Sequence, residues 1–473
     1  MWMLEADPAL RSDLVCVTLL DTAPDEDRLR STVAAAVADI PRMRQRVLAP
    51  PLRIAPPEWS PVALDYSYHL QKIPLPAPGG LRELLDLAAA IGAAPFDPDR
   101  PLWRFFLVEG FHGDGGAGAA LIEKLHHSMT DGVRGLRLSM HLVDTRREPD
   151  DDTSVKPAAP PETAPPETPP AENPAPVPRR SRIEVTRDAV LSATARNLRR
   201  VGGLASAGAE LVRHPSRLPA TVEAGLTVGS SLRRQLLVLG SARSPLMTGR
   251  SADRRFEVLT VPFAPAKEAA ATLGGSLNDL FVTAVARSLG RYHEEHHLEE
   301  DGEVVDELRM AMPVNLTPGE RGAGDRGASN HFAPARVMVP IRPVDPAILF
   351  ARVHRALGPV RDEPALRLTD DLAGLAMMLP APVLIATFRT QAHTIDFAAS
   401  NLRGSTVPLY VGGARIVANY PFGPRTGCAL NVSLMSYADE LQIGCNIDPA
   451  AIEDVDQLVE LLAESFDRLL TFA

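Results

Sequence analysis

The residues best suited to chemistry lie in one stretch, residues 120–132, which reads ALIEKLHHSMTDG. His126 and His127 end an apolar run that predicts a buried strand, and Asp131 and Gly132 follow closely. Successive side chains of a strand point to opposite faces, so the two histidines cannot readily serve one site. A histidine has an unperturbed pKa near neutrality and can take a proton from a hydroxyl as that oxygen attacks. The stretch therefore indicates a general base, and the alternative is a pair of polar loop histidines.

The residues after the histidines are typical of a sharp passage from a strand into a helix. Thr130 and Asp131 can begin that helix, and Gly132 gives the backbone the freedom to turn. Asp131 can brace the turn by capping the helix or by pairing with an arginine, and either role would hold His127 in one orientation. The chain has no G-x-S-x-G elbow, no glycine-rich phosphate loop and no GxGxxG motif. These absences disfavour serine-based covalent catalysis, nucleotide hydrolysis and dinucleotide redox chemistry.

A second histidine motif, HEEHH at residues 293–297, matches the zinc pattern H-E-x-x-H. In that pattern His293 and His297 would bind the metal, and Glu294 would activate a water molecule. The motif falls at the polar end of a predicted helix and runs into the acidic residues 299–301. It also lacks the G-x-x-H continuation of one class of zinc proteases. We therefore predict a solvated helix end here and no metal.

Composition limits the possible classes of protein. A chain of 473 residues predicts two large domains, and a net charge of -10 argues against a general nucleic-acid partner. The three cysteines, Cys16, Cys428 and Cys445, are widely separated and odd in number, which favours a reduced intracellular setting and a role as small core residues. No apolar run approaches about 20 residues and no secretory signal pattern is present. We therefore expect a cytoplasmic protein, with peripheral membrane contact left open.

The chain divides at a proline-rich segment. Ten of the 44 prolines lie between Pro157 and Pro178, a composition that favours extended chain without a core. Strand and helix patterns alternate before this segment and again after Arg255, which predicts a mixed α/β domain on each side. We therefore predict an N-terminal domain at 1–150, a flexible linker at 151–182, a basic helical insert at 183–250 and a C-terminal domain at 251–473.

Four stretches in the same order resemble one family, the bacterial wax ester synthases/diacylglycerol acyltransferases of the CoA-dependent acyltransferase superfamily. Residues 126–132 look like the HHxxxDG signature of that superfamily. The other stretches are Pro101-Leu102-Trp103 before a strand, residues 277–281 (LNDLF) at the start of a helix, and the region from Ser436 to Asp448. The resemblance covers nearly the whole chain.

The resemblance implies an α/β (α+β) fold of two chloramphenicol-acetyltransferase-like domains, each a mixed sheet with helices, and a tunnel between them. It implies His127 as the base that deprotonates a diacylglycerol or a long-chain alcohol for attack on an acyl-CoA thioester, without an acyl-enzyme. Acyl-CoA is then a substrate, and no cofactor or metal is expected. The other implied site residues are His126 in packing or the oxyanion region, Asp131 and Gly132 at the turn, Asn278 and Asp279 supporting the channel, and Pro101, Leu102 and Trp103 in packing.

Three departures from the family concern substrate choice and the start of the chain. The family usually has a Leu-Ser-x-x-Asp segment before a stretch like residues 2–5, and this sequence starts inside that stretch. The family's Asn-Val-Pro-Gly-Pro corresponds to residues 401–405 (NLRGS), and a Gly-Asn corresponds to Ser329-Asn330. Two other readings stay open: a condensation-domain-like acyltransferase that uses carrier-bound acyl groups, and a lipid-binding module with a silent site. The intact histidine motif disfavours the second.

The predicted insert differs in charge from the rest of the chain. Between residues 179 and 243 lie twelve arginines and four acidic residues, a balance of +8. The apolar residues of this segment recur at spacings that permit amphipathic helices. We therefore expect peripheral contact with the inner face of the cell membrane or with lipid droplets through this segment, the alternative being that the helices only bridge the two domains.

Overall fold

The computed structural model describes residues 2–49, 57–113, 117–129, 141–148, 242–296, 305–315, 332–362 and 381–473. The linker predicted at 151–182 and nearly all of the insert predicted at 183–250 lie outside these residues. Asp131 and Gly132 also lie outside them. The expectations for these segments therefore stay predictions.

The described elements alternate between strands and helices along most of the chain. The first part of the chain contains β1 (Asp13–Leu20), α1 (Glu26–Asp39), β2 (Gln45–Leu48), β3 (Glu58–Pro61), α2 (Tyr66–His69), β4 (Leu70–Pro74), α3 (Leu81–Ala93), β5 (Trp103–Glu109) and β6 (Ala119–His126). The later part contains β7 (Arg255–Pro262), α4 (Phe263–Thr272), α5 (Leu277–Glu295), β8 (Glu307–Asn315), β9 (Phe332–Pro340), α6 (Pro346–Leu357), α7 (Ala381–Ala392), β10 (Phe397–Arg403), β11 (Tyr410–Val411), β12 (Ala414–Phe422), β13 (Leu430–Tyr437), β14 (Glu440–Ile447) and α8 (Val455–Leu470). Short 3-10 segments lie at Trp2–Ala6, Pro8–Leu10, Pro41–Arg44 and Gly358–Asp362.

Two six-stranded mixed sheets form the centres of the two domains. The first has the strand order β11-β12-β1-β6-β5-β4 and the second has the order β7-β14-β13-β10-β8-β9. In the first sheet only the pair β4 and β5 is parallel, and in the second β10 runs parallel to both β13 and β8. Strands β2 and β3 form a separate antiparallel pair.

The first sheet is covered on both faces, which explains the long apolar runs in its central strands. One face packs residues such as Val17 and Ile122 against α3, and the other packs residues such as Leu20 and Leu121 against α1. Strand β6 is consequently buried at seven of its eight positions. A strand buried on both faces reads as a continuous apolar run rather than as an alternating one, as residues 119–122 do before the buried Glu123 and Lys124.

The two domains share a buried interface. Phe256 of β7 stacks on Phe422 of β12, with ring centroids 4.0 Å apart, inside the core of the first sheet. Thr260 Oγ1 and Tyr420 Oη form a hydrogen bond of 2.9 Å across the same boundary. At Gly444 of β14 an added Cβ would lie 2.1 Å from the carbonyl oxygen of Pro421, so the close approach of β14 to β12 requires glycine there.

Strands and helices alternate on both sides of the proline-rich segment where the structure describes them, as predicted. One placement was not anticipated: β11 and β12 belong by sequence to the predicted C-terminal domain, yet they extend the first sheet by pairing beside β1. Among the described residues no single helix has the length and apolar character needed to cross a membrane. Helices α4 and α5 meet those criteria only as a pair, and that pair is bent by 92°.

The prediction of a solvated helix end at His293 is wrong. The His293 side chain is buried, and its Nε2 lies 2.8 Å from Ser244 Oγ while its Nδ1 lies 2.7 Å from the carbonyl oxygen of Leu289. Burial lowers the pKa of His293, so the neutral ring is favoured. Both ring nitrogens thus have protein partners, one at the end of the predicted insert and one in α5. His297 lies outside the described residues.

Candidate active site

The two histidines of the motif lie where β6 ends beside β1. Asp13 pairs with His126 in the antiparallel register, and the N–H of His127 continues the pairing by donating to the carbonyl oxygen of Ser12 at 2.9 Å. His126 is fully buried, whereas His127 is partly exposed. Neighbouring side chains of extended chain point to opposite sides, so the strand end separates the surroundings of the two rings.

Both ring nitrogens of His126 are held by hydrogen bonds. The N–H of Ser128 donates to His126 Nδ1 at 3.0 Å, and Ser128 Oγ lies 2.6 Å from the same nitrogen. Because Nδ1 accepts, Nε2 carries the ring proton and donates to Glu5 Oε1 at 2.8 Å. The rings of Trp2 and Phe96 contact His126 edge-on. His126 is therefore fixed in one tautomer and one orientation, away from solvent.

Glu5 belongs to the 3-10 segment Trp2–Ala6 at the start of the chain. Its Oε1 accepts a second hydrogen bond, of 2.9 Å, from the N–H of Ser12. Burial opposes ionisation of this carboxyl, but the bonds from His126 and Ser12 hold the pKa of Glu5 below its ordinary value. The carboxylate form therefore acts as the acceptor at neutral pH.

A buried cluster of charges lies on the side of β6 that carries His126. The Asp13 carboxylate has no exposed surface and lies 3.7 Å from Lys124 Nζ and 3.9 Å from an Arg254 nitrogen. Burial raises the pKa of Asp13, lowers the pKa of Lys124 to about 8 and lowers that of Arg254 to about 10. Each of these groups is thus costly to ionise alone, and they offset one another as a set.

Lys124 also explains how α3 ends against this cluster. Its ammonium donates to the carbonyl oxygens of Ile91 (2.9 Å) and Ala94, and it lies 4.4 Å from the centroid of the Phe96 ring. The last carbonyls of a helix have no partner within the helix and attract a positive charge. Lys124 therefore satisfies the C-terminus of α3 and fixes that helix next to the histidine turn.

Glu5, Asp13 and His126 could each direct one ligand atom to a common point, since these atoms lie within 4.8 Å of one another. The group does not suit a metal well. Lys124 and Arg254 already supply positive charge beside Asp13, and His126 Nε2 is the protonated nitrogen. The donor set therefore fits a hydrogen-bonded positioning cluster better than a cation site.

The opposite face of β6 carries another acidic group, Glu123. It is 9% exposed and lies across from Cys16 of β1 and Phe105 of β5. Burial raises the pKa of Glu123 to about 7. Cys16 donates to Asn419 Oδ1, which Thr18 Oγ1 also approaches at 3.3 Å.

The three cysteines are poor nucleophiles in this environment. Burial raises the pKa of the Cys16 thiol well above its ordinary value, with the nearby Glu123 charge as a further cause. Burial also raises the pKa of Cys428 to about 11 and that of Cys445 to about 12. The thiolate is the nucleophilic form, so all three stay largely unreactive near neutral pH.

The stretch Pro101-Leu102-Trp103 is buried and supports the histidine turn from β5. The carbonyl oxygen of Leu102 accepts the N–H of His126 at 3.0 Å. Trp103 Nε1 donates to the carbonyl oxygen of Met43 at 2.9 Å, and its ring stacks on His69 at a centroid distance of 4.3 Å. These residues contribute packing and one backbone bond to the site.

Asn278 and Asp279 lie at the N-terminus of α5, on the second sheet. Asp279 forms a capping box with Ser276, whose N–H donates to Asp279 Oδ2 at 2.8 Å, and it lies 3.0 Å from His354 Nδ1. Asn278 Nδ2 lies 3.9 Å from Met312 Sδ, and Asn278 Oδ1 lies 3.5 Å from Asn401 Nδ2. Asp279 thus fixes the start of the helix, while Asn278 is partly exposed at its end.

Five residues of the cluster around His126 were not identified from the sequence: Glu5, Ser12, Asp13, Lys124 and Arg254. Asp13 and Lys124 are charged residues within or beside apolar strands. Because charged residues are rarely buried without a partner, this position could have indicated a buried ion pair. No local signal marks Glu5, which lies 121 residues from His126 in the chain.

Comparisons with known proteins identify the family of this chain. Residues 12–281 match the wax ester synthase/diacylglycerol acyltransferase catalytic domain, and residues 328–470 match the C-terminal domain of the same family. A Mycobacterium tuberculosis protein named as a diacylglycerol O-acyltransferase is 31% identical, over 99% of this chain and 90% of that protein. A second protein so named from that organism is 28% identical, over 97% and 92%.

Two solved structures share the fold. The wax ester synthase/diacylglycerol acyltransferase from Marinobacter aquaeolei VT8 aligns with a TM-score of 0.60 at 17% identity, over 99% of this chain and 96% of that chain. The first condensation domain of the CDA synthetase aligns with a TM-score of 0.56 at 16% identity, over 100% and 93%. The resemblance to two acetyltransferase-like domains is thereby confirmed as the fold. With both family domains matched in order along most of its length, this chain belongs to the wax ester synthase/diacylglycerol acyltransferase family and is an acyltransferase.

Proposed function

We propose that this protein transfers a fatty acyl group from acyl-CoA to the hydroxyl of diacylglycerol or of a long-chain alcohol, with His127 as the general base. The observation that carries the proposal is the difference between the two histidines. His126 is fully buried with both nitrogens engaged, whereas His127 follows it at the strand end and is partly exposed. This difference supports His127, of the two histidines, as the one that meets a substrate hydroxyl.

The reaction needs no covalent intermediate on the protein. His127 takes the hydroxyl proton while the oxygen attacks the thioester carbonyl, the new ester C–O bond forms, and the C–S bond breaks. The CoA thiolate leaves and regains the proton from the imidazolium. The raised thiol pKa values of Cys16, Cys428 and Cys445 support direct transfer, since no cysteine is poised to form an acyl-enzyme. Acyl-CoA is the substrate, and no further cofactor is required.

The proposal extends to the place of action. A water-insoluble acceptor must be collected from a membrane or droplet surface, and the basic segment between residues 179 and 243 has the charge to approach anionic lipid. We place the protein in the cytoplasm, associated peripherally with the inner face of the membrane or with lipid droplets.

The test incubates purified protein with labelled palmitoyl-CoA and either hexadecanol or dioleoylglycerol in mixed micelles. His127→Ala should abolish transfer, whereas His126→Ala should weaken it through a disturbed turn. Unfolding curves for both variants show whether each is folded. Equal loss in two folded variants would contradict the assignment of the base to His127 alone. Transfer from a carrier-protein thioester but not from palmitoyl-CoA would favour the condensation-domain-like alternative.

A further inference from the structure

The Glu5 carboxylate joins the two parts of the backbone that hold the histidine pair. A single oxygen, Oε1, accepts from His126 Nε2 at 2.8 Å and from the N–H of Ser12 at 2.9 Å. Ser12 in turn accepts the N–H of His127 at its carbonyl oxygen, at 2.9 Å. Glu5 therefore contacts the ring of one histidine directly and reaches the backbone of the other through one residue.

The position of His127 depends on both connections. The His126 ring is bound to Ser128 at its other nitrogen, so Glu5 and Ser128 clamp the ring from opposite sides. The backbone of the turn therefore cannot rotate at residue 126 without breaking a charge-assisted bond. On the β1 side, the same carboxylate accepts the N–H of Ser12. The carbonyl oxygen of Ser12 in turn accepts the N–H of His127.

The hydrogen bonds of Glu5 lie in a largely buried region. Its side chain is 15% exposed, Ser12 is 1% exposed and His126 has no exposed surface. Removing the carboxylate would leave two buried N–H donors without their acceptor, which is unfavourable for buried polar groups. The turn would relax to recover these bonds, and His127 would move with it.

We infer that Glu5 is a positioning residue for the general base, acting through the His126 ring and the Ser12 backbone. The inference rests on the proposed role of His127. It assigns the 3-10 segment at the start of the chain to the active site, as the support behind the histidine turn. A displacement of about 1 Å at a reacting group can cost about a hundredfold in rate, so a small relaxation is enough to be measured.

The experiment compares Glu5→Ala, Glu5→Gln and Asp7→Ala in the full chain. Asp7 is the matched control because it is also buried in the N-terminal segment, caps the next 3-10 turn at Ala9 and pairs with Arg389, without a bond to the histidine turn. Initial rates at varied palmitoyl-CoA give kcat and KM, and urea denaturation gives the stability of each variant.

We expect Glu5→Ala to lower kcat by about 10- to 100-fold with the KM for palmitoyl-CoA changed by less than about threefold. Glu5→Gln should recover most of the rate, since its amide oxygen can accept both bonds without the charge. Asp7→Ala should lower stability and leave kcat within about twofold.

Three results would overturn the inference: wild-type kcat in Glu5→Ala, no recovery in Glu5→Gln, or a loss of kcat in Asp7→Ala that matches the loss in Glu5→Ala. His127→Ala is measured in parallel. If it retains activity, the proposed function fails together with the inference. If it loses activity while Glu5→Ala keeps it, only the inference fails.

Discussion

Replacing Glu123 by glutamine should make the protein more stable at alkaline pH but not at acidic pH. Glu123 is buried on β6, four residues before His127, and burial raises its pKa from 4.5 to about 7. A raised pKa means that the folded protein holds the proton more tightly than the unfolded chain. Stability therefore falls as the pH rises from about 4.5 through 7, where the folded carboxyl must ionise within the core.

The magnitude follows from the displacement of the pKa. One pH unit of displacement corresponds to about 1.4 kcal/mol, so the full effect is about 3 kcal/mol and the part between pH 5 and pH 8 is about 2 to 3 kcal/mol. Glutamine has nearly the same shape and does not ionise. The variant should thus gain that amount relative to wild type on going from pH 5 to pH 8.

The assay is urea denaturation of both proteins at pH 5 and at pH 8, followed by tryptophan fluorescence. The stability difference between the variant and wild type is compared between the two pH values. This comparison cancels the contribution of every group that titrates equally in both proteins. Glu268→Gln is the control, because Glu268 is exposed on α4 and its replacement should have a small effect at either pH. A stability difference between Glu123→Gln and wild type that is the same at pH 5 and pH 8 would refute the reasoning.

Three further predictions concern other parts of the chain. Phe256→Ala should lower the free energy of unfolding by about 3–5 kcal/mol, because it removes the ring that stacks on Phe422 between the domains. Urea denaturation measures this change, and a loss under about 1 kcal/mol would contradict the prediction. Purified protein should contain no stoichiometric zinc and lose no activity with chelators; one equivalent of metal, absent from His293→Ala, would restore the zinc hypothesis. Replacing five arginines of the insert by glutamine (Arg196, Arg199, Arg200, Arg233 and Arg234) should weaken co-sedimentation with anionic liposomes at low salt. Each basic group near such a surface contributes on the order of 1 kcal/mol to binding. Unchanged sedimentation would instead favour a bridging role for the insert.

The local structure around the motif was predictable from the sequence. Residues 119–122 form an apolar run without alternation, which Glu123 and Lys124 interrupt before Leu125, and a strand covered by helices on both faces favours such a run. The start of α8 (Val455–Leu470) is likewise marked by a local signal, since Asp454 caps the helix by accepting the N–H of Gln457. In these segments the residues that indicate the local structure lie close together in the sequence.

Long-range pairing was not predictable in the same way. The hydrophobic pattern of β12 is compatible with an edge or a central position in either sheet. Nothing in that pattern indicates that β12 pairs with β1, about 400 residues earlier in the chain. His293 shows the same limit at the level of one side chain, because its burial depends on Ser244, which precedes it by 49 residues. A single sequence shows that a residue is polar, but it does not show which distant segment covers it.

The contact between Asp13 and Arg254 indicates why the two domains must be assembled for the histidine turn to be in place. Arg254 directly precedes β7 of the second sheet, and its guanidinium is buried 3.9 Å from Asp13, the β1 residue that pairs with His126. Without Arg254, the Asp13 carboxylate would keep only Lys124 as a nearby cation, at 3.7 Å, in a site with no exposed surface. A buried charge that loses one of its partners is destabilised, so separation of β7 from the first domain would be transmitted to the strand pair that ends at His126. The position of the histidine turn thus depends on the docking of both domains.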